Sequence, residues 1–311
     1  MNGINDWPGR LILPAGLKHG ETIGLVAPAG PLRPQDDLEA GIALLAEHGF
    51  AVEVSPAVYR QDGYLAGADH LRAREFNAMW ANPAVKALLA VRGGYGCLRM
   101  VDGLDFELIR QQPKIFTGFS DISVLLTAIL KKTGLVTFHG PTLTTLLQSD
   151  AASQQAFFDN LAGRPPAVIA PDHLEILAPG RARGRLLGGN LTNLLHLLAT
   201  PYELAWQGAI LFIEDVGEAP YRLDRLLTHL HKAGRLTGLA GLILGSFSGC
   251  GDLAPIKKLI LELCGDSQPI WAEFPGGHGP ANRILPLGVE AEMDSATGTL
   301  NLARPGSTAG S

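Results

Sequence analysis

The chain has 311 residues, roughly two domains' worth at about 150 residues each. Hydrophobic residues make up 46% and charged residues 18%, which is enough apolar material for a sizeable core and excludes wholesale disorder. The net charge of −5 excludes the basic balance of a nucleic-acid binder or a polybasic membrane protein, and aromatics at 6% leave little for a stacking platform.

The elements follow in chain order. Residues 1–17 lack a basic stretch followed by a continuous apolar one, so no signal peptide is expected. Residues 22–27 (TIGLVA) read as a buried strand ending in Pro28-Ala29-Gly30. Leu38, Ile42, Leu45 and Ala46 recur at helical spacing until His48-Gly49. Residues 50–54 form a second predicted strand and 70–80 a helix. Residues 87–91 form a third strand, running into Arg92-Gly93-Gly94-Tyr95-Gly96. A fourth strand, 114–119, is followed at once by a helix over 121–132, and a fifth covers 135–138. Strands separated by single helices imply a parallel sheet with right-handed crossovers.

The pattern changes after about residue 150. Residues 163–185 are rich in Pro, Gly and Arg and read as an inter-domain passage. Beyond them come Gly188-Gly189-Asn190, a helix over 191–198, a strand over 209–213, a helix over 221–233, a strand over 239–245 and a β-rich end over 284–303. The expected organisation is an N-terminal α/β domain over 1–160, a linker over 161–185 and a mixed α+β domain over 186–311. The longest apolar runs are far below the roughly 18 residues of a membrane span. Cys97, Cys250 and Cys264 are scattered, with no CxxC pair, so neither a disulfide framework nor a zinc knuckle is encoded. A cytoplasmic protein with reduced thiols is expected.

In open parallel sheets, ligands bind outside the carboxyl ends of the strands. Two segments fall there. Ser120 lies at an abrupt strand-to-helix junction two residues after Gly118, in the manner of a nucleophile elbow, although Ile122 stands where G-x-S-x-G has glycine. The competing reading makes Ser120 the N-cap of the following helix. The Arg92–Gly96 loop is neither GxGxxG nor GxxxxGK[ST], so it carries little nucleotide signal. It reads either as a tight turn or as half of an oxyanion hole, one amide there converging with that of Asp121 beside Ser120. A serine nucleophile needs a base, and the base needs an orienting acid. His278 sits in the glycine-rich loop Pro275-Gly276-Gly277-His278-Gly279 and is the best-placed histidine; His139, at a strand end, is the alternative. Glu214 and Asp215 close the strand over 209–213, where a buried carboxylate needs a partner, His or the arginines at 222 and 225. Glu218 is a third option in a turn.

At these residues the chain resembles the serine L,D-carboxypeptidase family. The segments are Val91-Arg92-Gly93-Gly94-Tyr95-Gly96, Gly118-Phe119-Ser120-Asp121-Ile122, Gly188-Gly189-Asn190-Leu191, Phe212-Ile213-Glu214-Asp215-Val216-Gly217-Glu218, Tyr221-Arg222-Leu223-Asp224-Arg225, Leu244-Gly245-Ser246-Phe247 and Gly277-His278-Gly279, in the family's order over residues 22–289. The resemblance implies Ser120 as nucleophile, His278 as base and Glu214, rather than Asp215 or Glu218, as orienting acid. It implies backbone amides near Gly94 and Asp121 as the oxyanion hole, no metal or other cofactor, and a homodimer. It implies a flavodoxin-like N-terminal domain and a C-terminal domain with a β-barrel-like sheet. The implied reaction is release of terminal D-alanine from a murein tetrapeptide during cytoplasmic cell-wall recycling. Arg92 is a candidate for the substrate carboxylate because a guanidinium matches a carboxylate bidentately, and Tyr95 is a second substrate-binding candidate.

Two other readings compete. The microcin C immunity branch of the same family acts on peptidyl- or aminoacyl-nucleotides and carries an aromatic for base stacking. Here residues 201–208 (PYELAWQG) form a short loop with Tyr202 and Trp206 as its only aromatics. A non-catalytic binding protein would close two domains on a small peptide, with Ser120 serving as a cap.

Overall fold

The structure, a computed structural model, describes residues 9–265 and 267–303. The expectation about a leader at residues 1–17 therefore falls, over residues 1–8, outside the described residues. The strands in chain order are β1 (Thr22–Val26), β2 (Ala51–Val54), β3 (Val85–Ala90), β4 (Ile115–Gly118), β5 (Thr137–His139), β6 (Val168–Ile169), β7 (Glu175–Ala178), β8 (Arg181–Asn190), β9 (Ala209–Val216), β10 (Gly241–Ser248), β11 (Ile270–Ala272), β12 (Leu285–Leu287), β13 (Glu290–Asp294) and β14 (Thr299–Leu302).

The first five strands are parallel and lie in the order β2-β1-β3-β4-β5. This is the flavodoxin-like order, whose switch point between β1 and β3 opens a crevice at the carboxyl ends of the strands. Burial on both faces explains why β3 and β4 read as apolar runs rather than alternating ones: five of the six residues of β3 and all four of β4 are buried. The helix Asp69–Ala81 covers one face through Phe76, Met79 and Trp80. The helix Ser123–Thr133 is buried nearly all round.

The second sheet has eight strands in the order β6-β14-β13-β8-β9-β10-β11-β7. Its centre, β8-β9-β10-β11, is parallel and its flanks are antiparallel. Residues 163–185, expected as a passage, contain β6, β7 and the start of β8. The arginines that made this stretch look like a solvated connection lie along the ladder to β13, which carries the matching acids. Arg181 is 2.7 Å from Asp294, and Arg185 is 3.6 Å from Glu290.

The two sheets are stitched together. β12 leaves the second half of the chain and pairs antiparallel with β5, adding a sixth strand to the first sheet. The Ser123 hydroxyl, at the start of the helix behind β4, accepts from the Asn190 amide at the end of β8 (3.0 Å). Arg283 donates to Asp150 (2.8 Å) and to the Ser153 hydroxyl (2.9 Å). These contacts bring the carboxyl ends of β4 and β9 to one place. Among the described residues, no helix is long and apolar enough to cross a membrane.

Candidate active site

Ser120 has φ +61, inside the left-handed region that a β-carbon disfavours. Holding a non-glycine residue there costs on the order of 1–3 kcal/mol and persists only where the surroundings impose it. Here β4 ends at Gly118, Phe119 remains extended, and the chain turns at once into the 3₁₀ turn Ser120–Ile122 and then the helix Ser123–Thr133. Ser120 thus opens that turn from inside. The capping position belongs to Phe119, so the N-cap reading does not describe the structure. The departure from G-x-S-x-G also has a local reason. A β-carbon at Gly118 would lie 2.8 Å from Ile122 Cγ2, so the space that the second glycine would leave is filled by Ile122.

The Arg92–Gly96 loop lies against this elbow. A β-carbon on Gly93 would be 2.8 Å from Ser120 Cβ and 3.0 Å from its Oγ, so only glycine fits there. Gly94 packs instead on Gly30, in the loop after β1, and the Gly30 amide donates to the Gly93 carbonyl (3.2 Å). Asp121 turns its carboxylate away from Ser120, accepting from the Cys97 amide (2.8 Å). Burial raises the Asp121 pKa and pushes the Cys97 thiol well up, so this thiol is no rival nucleophile.

On the other side, Glu214 comes from near the carboxyl end of β9 and is fully buried. Its Oε2 lies 2.6 Å from His278 Nδ1. Burial raises the carboxyl pKa, and the contact with His278 opposes that rise. With Nδ1 engaged, Nε2 is the nitrogen left to exchange a proton. The ring is held by Phe119, the residue before Ser120, at a centroid distance of 4.6 Å. The loop is pinned through its backbone. Ser246 Oγ donates to the His278 carbonyl (3.0 Å), Ser248 Oγ does the same, and the Gly277 amide donates to Asn282 (3.0 Å).

The other sequence candidates separate cleanly. Asp215 accepts from Asn190 Nδ2 (2.9 Å) and from the Thr192 amide and hydroxyl (3.0 and 2.8 Å), fastening the start of the helix Leu191–His196. Glu218 pairs with Arg222 (3.5 Å), and Arg225 lies over Tyr221. Neither arginine is therefore the partner of Glu214. His139 is fully buried between Phe119 and Phe212, and burial, followed by the nearby His278, lowers its pKa to about 3. A group so hard to protonate is no general base at neutral pH. Arg92 donates to the Pro31 carbonyl (2.7 Å) and lies 3.5 Å from Asp36. Tyr95 is 48% exposed and forms an edge-to-face pair with Tyr64 at 5.6 Å. Tyr202 and Trp206 are buried, bonded to Asp102 (2.5 Å) and Glu203 (3.2 Å), and offer no stacking surface.

Sequence reasoning missed the parts that hold the site: Gly93, Phe119, Ser246, Ser248 and Asn282. Gly93, Phe119 and Ser246 had a legible signal, since each falls in one of the motif segments, though none was given a role of its own; Ser248 and Asn282 had none.

Two family models match, the LD-carboxypeptidase N-terminal domain over residues 23–140 and the LD-carboxypeptidase C-terminal domain over residues 183–293. A Bacillus subtilis protein named probable murein peptide carboxypeptidase is 39% identical over 298 residues, covering 92% of this chain and 92% of its own. The crystal structure of muramoyltetrapeptide carboxypeptidase from Oxalobacter formigenes has a TM-score of 0.78 at 30% identity, covering 91% of this chain and 99% of that one. The apo structure of the microcin C7 self-immunity protein MccF has a TM-score of 0.88 at 24% identity, covering 94% and 98%, a likeness of fold. With both domain models matched in order across most of its length, the chain belongs to the LD-carboxypeptidase family.

Proposed function

We propose that this chain is a serine L,D-carboxypeptidase that releases terminal D-alanine from murein tetrapeptides, with Ser120, His278 and Glu214 acting as one triad. The observation that carries the reading is the 2.6 Å contact between the buried Glu214 and His278, whose ring packs on the residue preceding the strained Ser120. The names of the relatives support a murein peptide as substrate.

In this reading Ser120 Oγ attacks the carbonyl that joins the L-centre of the third residue to D-alanine. His278 Nε2 takes the hydroxyl proton and returns it to the departing amine. Glu214 holds the ring in the tautomer with hydrogen on Nδ1, and its charge compensates the imidazolium that forms in a site of low dielectric. The amides near Gly94 and Asp121 receive the oxyanion, and water then frees the acyl group. Arg92 and Tyr95 are the proposed contacts for the rest of the substrate. The split between halves assigns the nucleophile to residues 1–160 and the acid and histidine to residues 186–311. A cytoplasmic role in peptidoglycan recycling and a homodimeric state complete the proposal.

The test is stereochemical. The enzyme is incubated with a tetrapeptide ending in L-diamino acid–D-Ala, with its L-Ala epimer, and with the pentapeptide ending in D-Ala–D-Ala, and released alanine is quantified by chromatography. Release from the first alone is expected, with discrimination in kcat/KM, because a misplaced carbonyl loses near-attack geometry as well as contacts. Comparable release from the epimer would refute the L,D assignment. A nucleotide-linked substrate is the second reading, favoured by the exposed Tyr64–Tyr95 pair. An aminoacyl-nucleotide in a fourth arm, cleaved faster than the tetrapeptide, would select it.

A further inference from the structure

Arg72 is an anomaly in its helix. It falls in the apolar stripe of Asp69–Ala81, in line with Phe76, Met79 and Trp80, and its side chain is completely buried. A buried guanidinium is costly unless its donors are met, and here they are. Nε donates to the Gly67 carbonyl (3.0 Å), NH1 to the carbonyls of Pro28 and Gly96 (the latter 3.0 Å), and NH2 to Asp69. Pro28 lies in the loop after β1, Gly67 in the connection after β2, and Gly96 in the loop after β3. One side chain therefore gathers three loops on the crevice side of the first sheet.

The contact with Gly96 reaches the candidate active site in two steps. The Gly96 carbonyl and the Cys97 amide are the two ends of one peptide unit. The carbonyl accepts from Arg72, and the amide donates to the buried carboxylate of Asp121, the residue after Ser120 (2.8 Å). That peptide is held at both ends by bonds in which a charged side chain takes part, the stronger class of protein hydrogen bond. The approach is close enough that a β-carbon on Gly96 would lie 2.8 Å from Arg72 NH1. Gly93, which faces Ser120, is three residues upstream in the same loop.

We infer that Arg72 and the Asp121 carboxylate are positioning residues for the oxyanion hole: by gripping the Gly96–Cys97 peptide from opposite ends they fix the Gly93–Gly94 loop against the Ser120 elbow. The inference rests on the reading of Ser120 as a nucleophile flanked by oxyanion amides. It requires nothing about which peptide is cleaved.

The test measures the second-order rate at which a small fluorophosphonate labels Ser120, followed by intact mass, in the full chain and in Arg72→Met, Arg72→Lys, Asp121→Ala and Asp121→Asn. Reversible binding of the tetrapeptide is measured in a Ser120→Ala background. Labelling is expected to slow roughly a hundredfold in Arg72→Met and Asp121→Ala, the scale of a misplacement of about 1 Å. Asp121→Asn, which keeps an acceptor for the Cys97 amide, should recover most of the rate. Tetrapeptide binding should weaken much less than labelling, by less than about tenfold, because the same loop carries the proposed contacts Arg92 and Tyr95 while the grip acts chiefly on the amides beside Ser120. Should Arg72→Met fail to fold, Arg72→Lys and the two Asp121 variants carry the test, because they disturb the same peptide. Wild-type labelling rates in Arg72→Lys and Asp121→Ala would overturn the inference, as would equal losses of labelling and binding. Wild-type chain that labels at Ser120 but cleaves no tetrapeptide would defeat the substrate reading alone; wild-type chain that never labels would defeat the serine reading and this inference with it.

Discussion

The two sides of the candidate site are built by different means. The serine side is made of backbone: a positive φ at Ser120, a glycine that clears its hydroxyl, and loops fixed by carbonyls and amides. The acid–histidine side is made of a buried charge, Glu214, and of hydroxyls that hold the carbonyl of His278. In the proposed reading the first sheet sets where a carbonyl group must sit, and the second sets where a proton can go. Both sides are tightly fitted, Gly93 against Ser120 and Gly277 against Glu214, so the difference lies in what each holds: the shape of a turn on one side, a charge on the other.

That difference can be broken from either side. The largest effect is expected at the charge. Glu214→Gln preserves the shape but no longer compensates an imidazolium or enforces its tautomer, so kcat should fall by up to about ten-thousand-fold. Folding stability should change little, because Gln keeps the size of the fully buried Glu214 and an acceptor for His278 Nδ1 while removing the cost of burying a carboxylate. Steady-state kinetics beside urea titration checks both halves of that statement. On the backbone side, Gly93→Ala places a methyl group 2.8 Å from Ser120 Cβ. It should cost about a hundredfold in kcat through displacement of the elbow or the loop, and a crystal structure of the variant should show which of the two moved.

A smaller and purely thermodynamic effect is expected behind the histidine. The pKa of His139 is lowered from 6.5 to about 3 by burial and by His278. Between those values the unfolded chain binds a proton that the folded chain does not, so this residue's contribution to stability is lost as pH falls below 6.5. From pH 7 to pH 5 the loss is about 2 kcal/mol at about 1.4 kcal/mol per pH unit. His139→Phe should remove that part of the acid limb. Urea midpoints of both chains at the two pH values measure it, and an unchanged limb would mean that His139 protonates freely in the fold.

The first sheet was legible because parallel strands buried on both faces leave apolar runs that stand out between helices, as residues 87–91 do. The second sheet was less so. Arg181, Arg183 and Arg185 made β8 look like a solvated passage because their partners lie more than a hundred residues away on β13. Leu285–Leu287 is three residues long with a central proline, and nothing local says that it joins the other half's sheet. Ser120 could be singled out from an abrupt junction. The contact between Glu214 and His278 spans 64 positions, and the choice of Glu214 over Asp215 came from family resemblance. The physical difference is that β9 directs Glu214 toward the histidine loop, while Asp215, pointing to the opposite face, fastens the helix Leu191–His196. Arg72 stayed hidden because an arginine on a helix reads as solvent-facing unless its place in the apolar stripe is weighed.

The central claim is that residues from both halves act as one catalytic unit. Its most direct measurement is a double-mutant cycle on tetrapeptide hydrolysis with Ser120→Ala, His278→Ala and the pair together, each checked for folding by circular dichroism. Each single variant is expected to lose several orders of magnitude in kcat, and the double variant little more than either, since a unit broken once cannot be broken again. Losses that add in the double variant would contradict the account and separate Ser120 from His278 as independent contributors.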